Sequence, residues 1–122
     1  MKRVITSIRP IIAVPLDMES NNLLQGGWID ESVKFRWVKV SDQVSKYLNE
    51  NLFYYKLNSL CDSFIGDFEE DDLKGEKLLI CQKYLHEFQE YTSNTEVKVF
   101  LSTLISFVQS AIERNVSVFF IL

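Results

Sequence analysis

The sequence predicts a single α+β domain over residues 1–122, with about four helices packed on a small sheet and a buried C-terminal strand. Three observations predict it. The stretches 3–9, 33–40 and 116–122 are rich in β-branched and aromatic residues. The stretches 53–64, 78–88 and 97–112 carry apolar residues at helical spacing. The last seven residues are apolar except for Ser117, so they have no face to offer to water and belong inside.

Taken in order, residues 3–9 alternate, with Val4, Thr6 and Ile8 opposite Arg3, Ile5, Ser7 and Arg9. This predicts a strand, with 11–14 as its continuation past Pro10. Proline gives no N–H to a ladder, so Pro10 and Pro15 suit an edge or a bulge. Residues 17–27 hold Asp, Ser, Asn-Asn and Gly-Gly, the chemistry of a loop. In 33–40, Val33, Phe35 and Trp37 face one way and Lys34 and Arg36 the other, with a phase slip at Val38 that suggests a bulge or twist.

Ser41 offers a helix N-cap ahead of Val44, Tyr47 and Leu48. Phe53, Leu57, Leu60, Cys61 and Phe64 make the next buried stripe, with Gly66 as its stop. Asp71 or Asp72 is expected to cap the following helix, whose stripe is Leu78, Cys81, Leu85 and Phe88, with Tyr84 and Tyr91 beside it. Ser93 and Glu96 fit a capping box before the last helix, 97–113. That helix is apolar over more than one face, which makes it the central core helix. Asn115 then makes the turn into the final strand.

At 47% hydrophobic and 13% aromatic residues, the chain can fill a core, and disorder over most of its length is excluded. The N-terminus lacks a solid apolar signal region, and the longest apolar stretch is interrupted by polar residues, so a cytoplasmic protein without membrane association is expected. Cys61 and Cys81 are read as reduced core thiols.

Charge is unevenly placed. Residues 62–76 carry seven carboxylates and one lysine, a net of −6 against −4 for the whole chain. Asp67, Phe68, Glu69, Glu70, Asp71 and Asp72 are therefore the candidate partner-binding residues. Phe64 and Phe68 among the carboxylates give the make-up of a surface that meets a basic partner, with rings as anchors and charge for steering. The alternative for the same residues is a solvated helix start. The spacing Asp67-x-Glu69-x-Asp71 resembles a calcium loop, but Asp72 and Leu78 stand where the loop needs Gly and Glu. His86, the one histidine, lies near Cys81 and Glu90 on the same predicted helix; His86 and Glu90 could share a metal, but two ligands do not make a structural zinc site, and a surface pairing with Glu90 or Glu87 is expected. No nucleophile elbow, phosphate loop or HExxH is present, so an enzyme is not expected and no cofactor is implied. Lys34, Arg36 and Lys39 lie among Trp28 and Trp37, but a pI near 5.0 argues against nucleic acid as a partner.

The run Phe53-Tyr54-Tyr55-Lys56-Leu57-Asn58-Ser59-Leu60-Cys61-Asp62, followed by Asp67-Phe68-Glu69-Glu70, sits in a small, acidic α+β chain with no active-site motif. In size and character the whole chain resembles the immunity proteins of bacterial toxin systems, such as those of contact-dependent growth inhibition. The resemblance implies a cytoplasmic inhibitor that binds a toxin domain, often a nuclease whose own site is basic. Two other readings stand beside it: a small metal-dependent enzyme using the carboxylates from Asp67 to Asp72, and a structural subunit whose apolar tail completes a larger assembly. The oligomeric state is left open.

Overall fold

The computed structural model describes residues 9–66 and 70–122. Within them the chain runs β1 (Ile11–Pro15), α1 (Met18–Gln25), β2 (Phe35–Lys39), α2 (Asp42–Glu50), α3 (Phe53–Cys61), β3 (Glu70–Leu73), α4 (Glu76–Glu90), α5 (Thr95–Arg114) and β4 (Val118–Ile121). The four strands form one antiparallel sheet in the order β2-β1-β4-β3. The α+β class and the buried C-terminal strand stand as expected. β4 lies between β1 and β3, and every one of its residues is buried.

Directly paired residues in an antiparallel ladder share a face, so register divides the sheet into two sides. Ile12, Val14, Val118 and Phe120 belong to the larger core, together with Phe53, Leu57, Leu85, Leu101 and Phe107 from the helices. Ile11, Ala13, Phe119 and Ile121 belong to a smaller one, closed by Leu24, Ile29 and Val33. Helices α2–α5 make the thick layer; α1 and the segment after it make the thin one. α5 is long and apolar enough by composition to cross a membrane, but here Val97, Phe100, Leu101, Leu104, Phe107, Val108 and Ala111 are buried inside the protein.

Several expectations need correction. Residues 3–8 of the first predicted strand lie outside the described residues; Arg9 is not in a strand, and β1 occupies 11–15. The two prolines bracket an interior strand rather than mark an edge. β2 is the edge, and its register with β1 runs unbroken from Lys39 to Phe35, so there is no bulge at Val38. Phe35, Trp37 and Lys39 simply share the thin side, and Arg36 and Val38 the thick side.

The predicted loop at 17–27 contains α1. Asp17 caps it by accepting from the Ser20 N–H at 2.7 Å. Gly27, at φ 80°, ends it in a conformation that L side chains disfavour. The helix count is accordingly five among the described residues. The cap of α5 is Asn94, one residue after the expected Ser93, and Asn94 Oδ1 accepts from Val97 N–H at 3.1 Å. Ser41 does cap α2.

Candidate functional site: the acidic edge of the sheet

The acidic segment does not begin a helix. α4 starts at Glu76 after Gly75, and Glu70, Asp71 and Asp72 lie in β3, the strand at the opposite edge of the sheet from β2. The expected cap role of Asp71 or Asp72 is thus overturned. Asp67, Phe68 and Glu69 lie outside the described residues.

Pairing explains why so polar a sequence becomes a strand. Glu70, Asp71, Asp72 and Leu73 oppose Ile121, Phe120, Phe119 and Val118. The buried tail supplies a ladder that intrinsic preference alone does not. The same pairing sorts the acids by side. Glu70 and Asp72 share the thin side with Ile121 and Phe119, whereas Asp71 shares the thick side with Phe120.

The carboxylates therefore do different work. Asp71 is structural: its Oδ2 accepts from Phe64 N–H at 2.8 Å and its Oδ1 from Asp72 N–H at 2.8 Å. Among the described residues, Asp72 Oδ2 has a long contact with Gln25 Nε2, at 3.5 Å. Glu70 is exposed. Among the described residues no three His, Cys, Asp or Glu side chains group as metal ligands.

Beside the acids stands Phe64. The spacing 53-57-60-61-64 places it on the buried stripe of α3, but the helix ends at Cys61, because Asp62 turns left-handed at φ 51°. Phe64 is instead 77% exposed, and Leu60 of the same stripe is exposed too. Phe64 is held there firmly. Its neighbours Ser63 and Ile65 are buried. Asn58 fixes both: its Oδ1 accepts from the Ser63 hydroxyl at 2.7 Å and from Ile65 N–H at 2.8 Å, and its Nδ2 donates to the Ile65 carbonyl at 2.7 Å. Asp71 takes the Phe64 N–H itself. A well-anchored backbone thus displays one aromatic ring next to the acidic strand. Asp62-Ser63 directly after Cys61 was the local signal that the helix ends there.

A cleft of about 260 Å³ opens on the thin side of the same edge. Leu24, Ile29, Phe119 and Ile121 line its apolar part, Glu70 and Asp72 its acidic part, and the Gly26-Gly27 turn one flank. A second groove of about 320 Å³, between α2, α3 and α4, is aromatic and has no charge bias: Lys56 and Glu87 balance beside Tyr47, Tyr84, Phe88 and Tyr91.

The basic strand is engaged elsewhere. The Arg36 guanidinium carbon lies 5.1 Å from the Phe107 ring centroid, and Lys39 Nζ donates to the Arg9 carbonyl at 3.0 Å. The thiols are free and buried. Burial pushes the Cys61 thiol up and that of Cys81 up to about 12, which leaves both poor nucleophiles. Compared with known proteins, the chain gives no match: no family model, no curated protein and no solved structure matches it.

Proposed function

We propose that the acidic edge binds a basic protein partner and that the protein neutralises that partner, as the resemblance to immunity proteins implies. The observation that carries this reading is an exposed Phe64 whose anchored backbone is tied through Asp71 to β3, the strand that also carries Glu70 and Asp72. A solvated acidic face has no use for an aromatic ring held out by three side-chain hydrogen bonds to its flanking residues. A binding surface does: the ring is the anchor, and the charges steer the encounter and reject acidic competitors.

The test is a binding isotherm against the product of the neighbouring gene. Glu70→Lys with Asp72→Lys is expected to weaken binding by about 100-fold, acting mainly on the on-rate and less so at high salt. Phe64→Ala is expected to raise the off-rate by about tenfold or more. Circular dichroism of each variant checks the fold. Binding unchanged in a folded double reversal would refute the assignment of this edge.

A further inference from the structure

We infer that two copies of this chain pair through the aromatic groove between α2, α3 and α4, about a two-fold axis that runs along it. None of the residues lining this groove belongs to the acidic edge, so the inference stands independently of the reading above.

Two charged side chains line the groove, Lys56 from α3 and Glu87 from α4. Both residues are exposed, and among the described residues neither side chain makes an ion pair or a hydrogen bond. Each is flanked along its own helix by exposed apolar residues, because side chains one or two turns apart share a face. Leu52 and Leu60, one turn before and one turn after Lys56, are 54% and 52% exposed. Ile80 and Tyr91, two turns before and one turn after Glu87, are 41% and 87% exposed. The two helices run antiparallel: the Tyr84 hydroxyl donates to the Phe53 carbonyl at 2.8 Å, and the Cys61 thiol to the Lys77 carbonyl at 3.7 Å. Leu52 therefore lies towards the Tyr91 end of the groove and Leu60 towards the Ile80 end.

Such a face is complementary to itself. A two-fold axis along the groove sets α3 of each copy opposite α4 of the other. Lys56 then meets Glu87 of the second copy, twice, and apolar side chains meet at both ends. Tyr47, Phe88 and Tyr91 supply the rings that anchor an interface. A basic or an acidic partner would instead set its charge against its like on one wall. Copies with a net charge of −4 repel one another over most approaches, but this groove is neutral.

The backbone adds an independent observation. Leu52 is left-handed at φ 56°, a conformation that suits Gly or Asn and costs a bulky L residue free energy. More than half exposed, Leu52 gains little from the core in return. Burial against a second copy accounts for a leucine at this position.

The experiment is sedimentation and light scattering of the whole protein from micromolar to millimolar concentration, with circular dichroism of each variant as the folding control. The expected result is a concentration-dependent dimer and nothing larger. Lys56→Glu alone, or Glu87→Lys alone, sets two like-charge pairs across the axis and should weaken association by about 100-fold or more. Mixing the two single variants restores both pairs in a heterodimer, which should form within about tenfold of the parent affinity, as should the homodimer of the chain carrying both changes. Tyr91→Ala should weaken association by about tenfold. Leu52→Gly should weaken it as well, while the urea midpoint of the dilute monomer stays the same or rises. A protein that remains monomeric at millimolar concentration overturns the inference. So does a dimer indifferent to both single reversals, because its interface then lies elsewhere. Single reversals that weaken association without rescue on mixing, or species that keep growing with concentration, overturn the two-fold pairing of Lys56 with Glu87.

Discussion

The two sides of the sheet are held by different means, although the same strands serve both. On the thick side, Phe120, Phe107, Leu101 and Leu85 are fully or almost fully buried among four helices. On the thin side, an eight-residue helix and the segment after it cover Ile11, Ala13, Phe119 and Ile121, and the cleft opens beside them. The thick side is apolar packing. The thin side leans on polar bonds: Asn21 Oδ1 accepts from the buried Ser117 N–H at 2.9 Å, and Ser20 Oγ accepts from Lys34 N–H at 2.8 Å. The lesson is that Glu70 and Asp72, the acidic part of the binding surface proposed here, sit on the thinly covered side, whereas Phe64 is tied to Asp71 on the other.

Phe119 and Phe120 test this most strongly, because they are neighbours on β4 that point to opposite sides. Phe120→Ala leaves a hole in a close-packed interior and is expected to cost about 3–5 kcal/mol. That is a large share of the roughly 5–15 kcal/mol available to a domain. Phe119→Ala widens a cleft that already exists, so it should cost little beyond lost transfer energy, about 1.5–3 kcal/mol. Urea midpoints at unchanged slope measure both. Equal costs would show that the two sides are packed alike.

Next in size is Asn21→Ala. It strands the buried Ser117 N–H and should destabilise by about 1–3 kcal/mol, a cost the loss of a small polar side chain would not otherwise carry. Local opening around α1, read by amide exchange, should rise more than global unfolding does.

These contrasts also explain what was legible in the sequence. β4 and α5 were, because a run with no polar face has only the interior to go to. α1 was not, because its buried residues include Ser20 and Asn21, which are spent on tertiary hydrogen bonds and read locally as loop formers. Its punctuation, Asp17 before and Gly26-Gly27 after, was nevertheless in plain view. β3 was illegible for the opposite reason: Glu-Asp-Asp-Leu is a poor strand former that pairing with the buried tail overrides. Net charge identified the candidate edge, but only geometry shows that Asp71 holds the backbone and faces the opposite side of β3 from Glu70 and Asp72. Phe64 was misplaced because its stripe was continued past the left-handed Asp62, where the helical period no longer applies.

The thiols sharpen the comparison further. With Cys81 pushed up to about 12 from an ordinary 9.0, its thiolate at pH 8 is scarcer than that of a free cysteine by about 1000-fold. Native-state alkylation should be slower by orders of magnitude, with two thiols appearing on unfolding. Because Cys81 lies in the thick core, Phe120→Ala should speed its labelling and Phe119→Ala should leave it nearly unchanged. Equal acceleration by both would show that the two sides open together.

The smallest effect is a difference in how the two sides respond to pH. On the thick side, burial raises the pKa of Cys61, Cys81 and Tyr84, whose hydroxyl donates to the Phe53 carbonyl at 2.8 Å. The native state there keeps protons that the unfolded chain gives up, so this contribution is whole below pH 9 and falls as pH rises from about 9 towards 12. On the thin side the sign reverses. Asp17 is lowered by its hydrogen bonds from Ser20, and Asp30 by those from Ser32, both below the ordinary 3.8. The unfolded chain binds protons there that the native state refuses, so the contribution is present above pH 3.8 and is lost as pH falls through the lowered values. Both residues are only partly buried, so the acid effect is small, but it is confined to α1 and the turn after it. Amide exchange at pH 3 should therefore report faster opening of α1 than of α5, and Asp17→Asn, which can still cap without titrating, should abolish most of that pH dependence. If α1 and α5 lose protection together as the pH is lowered, the thin side is not an independent layer, and docking at the acidic edge would have to be felt across the whole core.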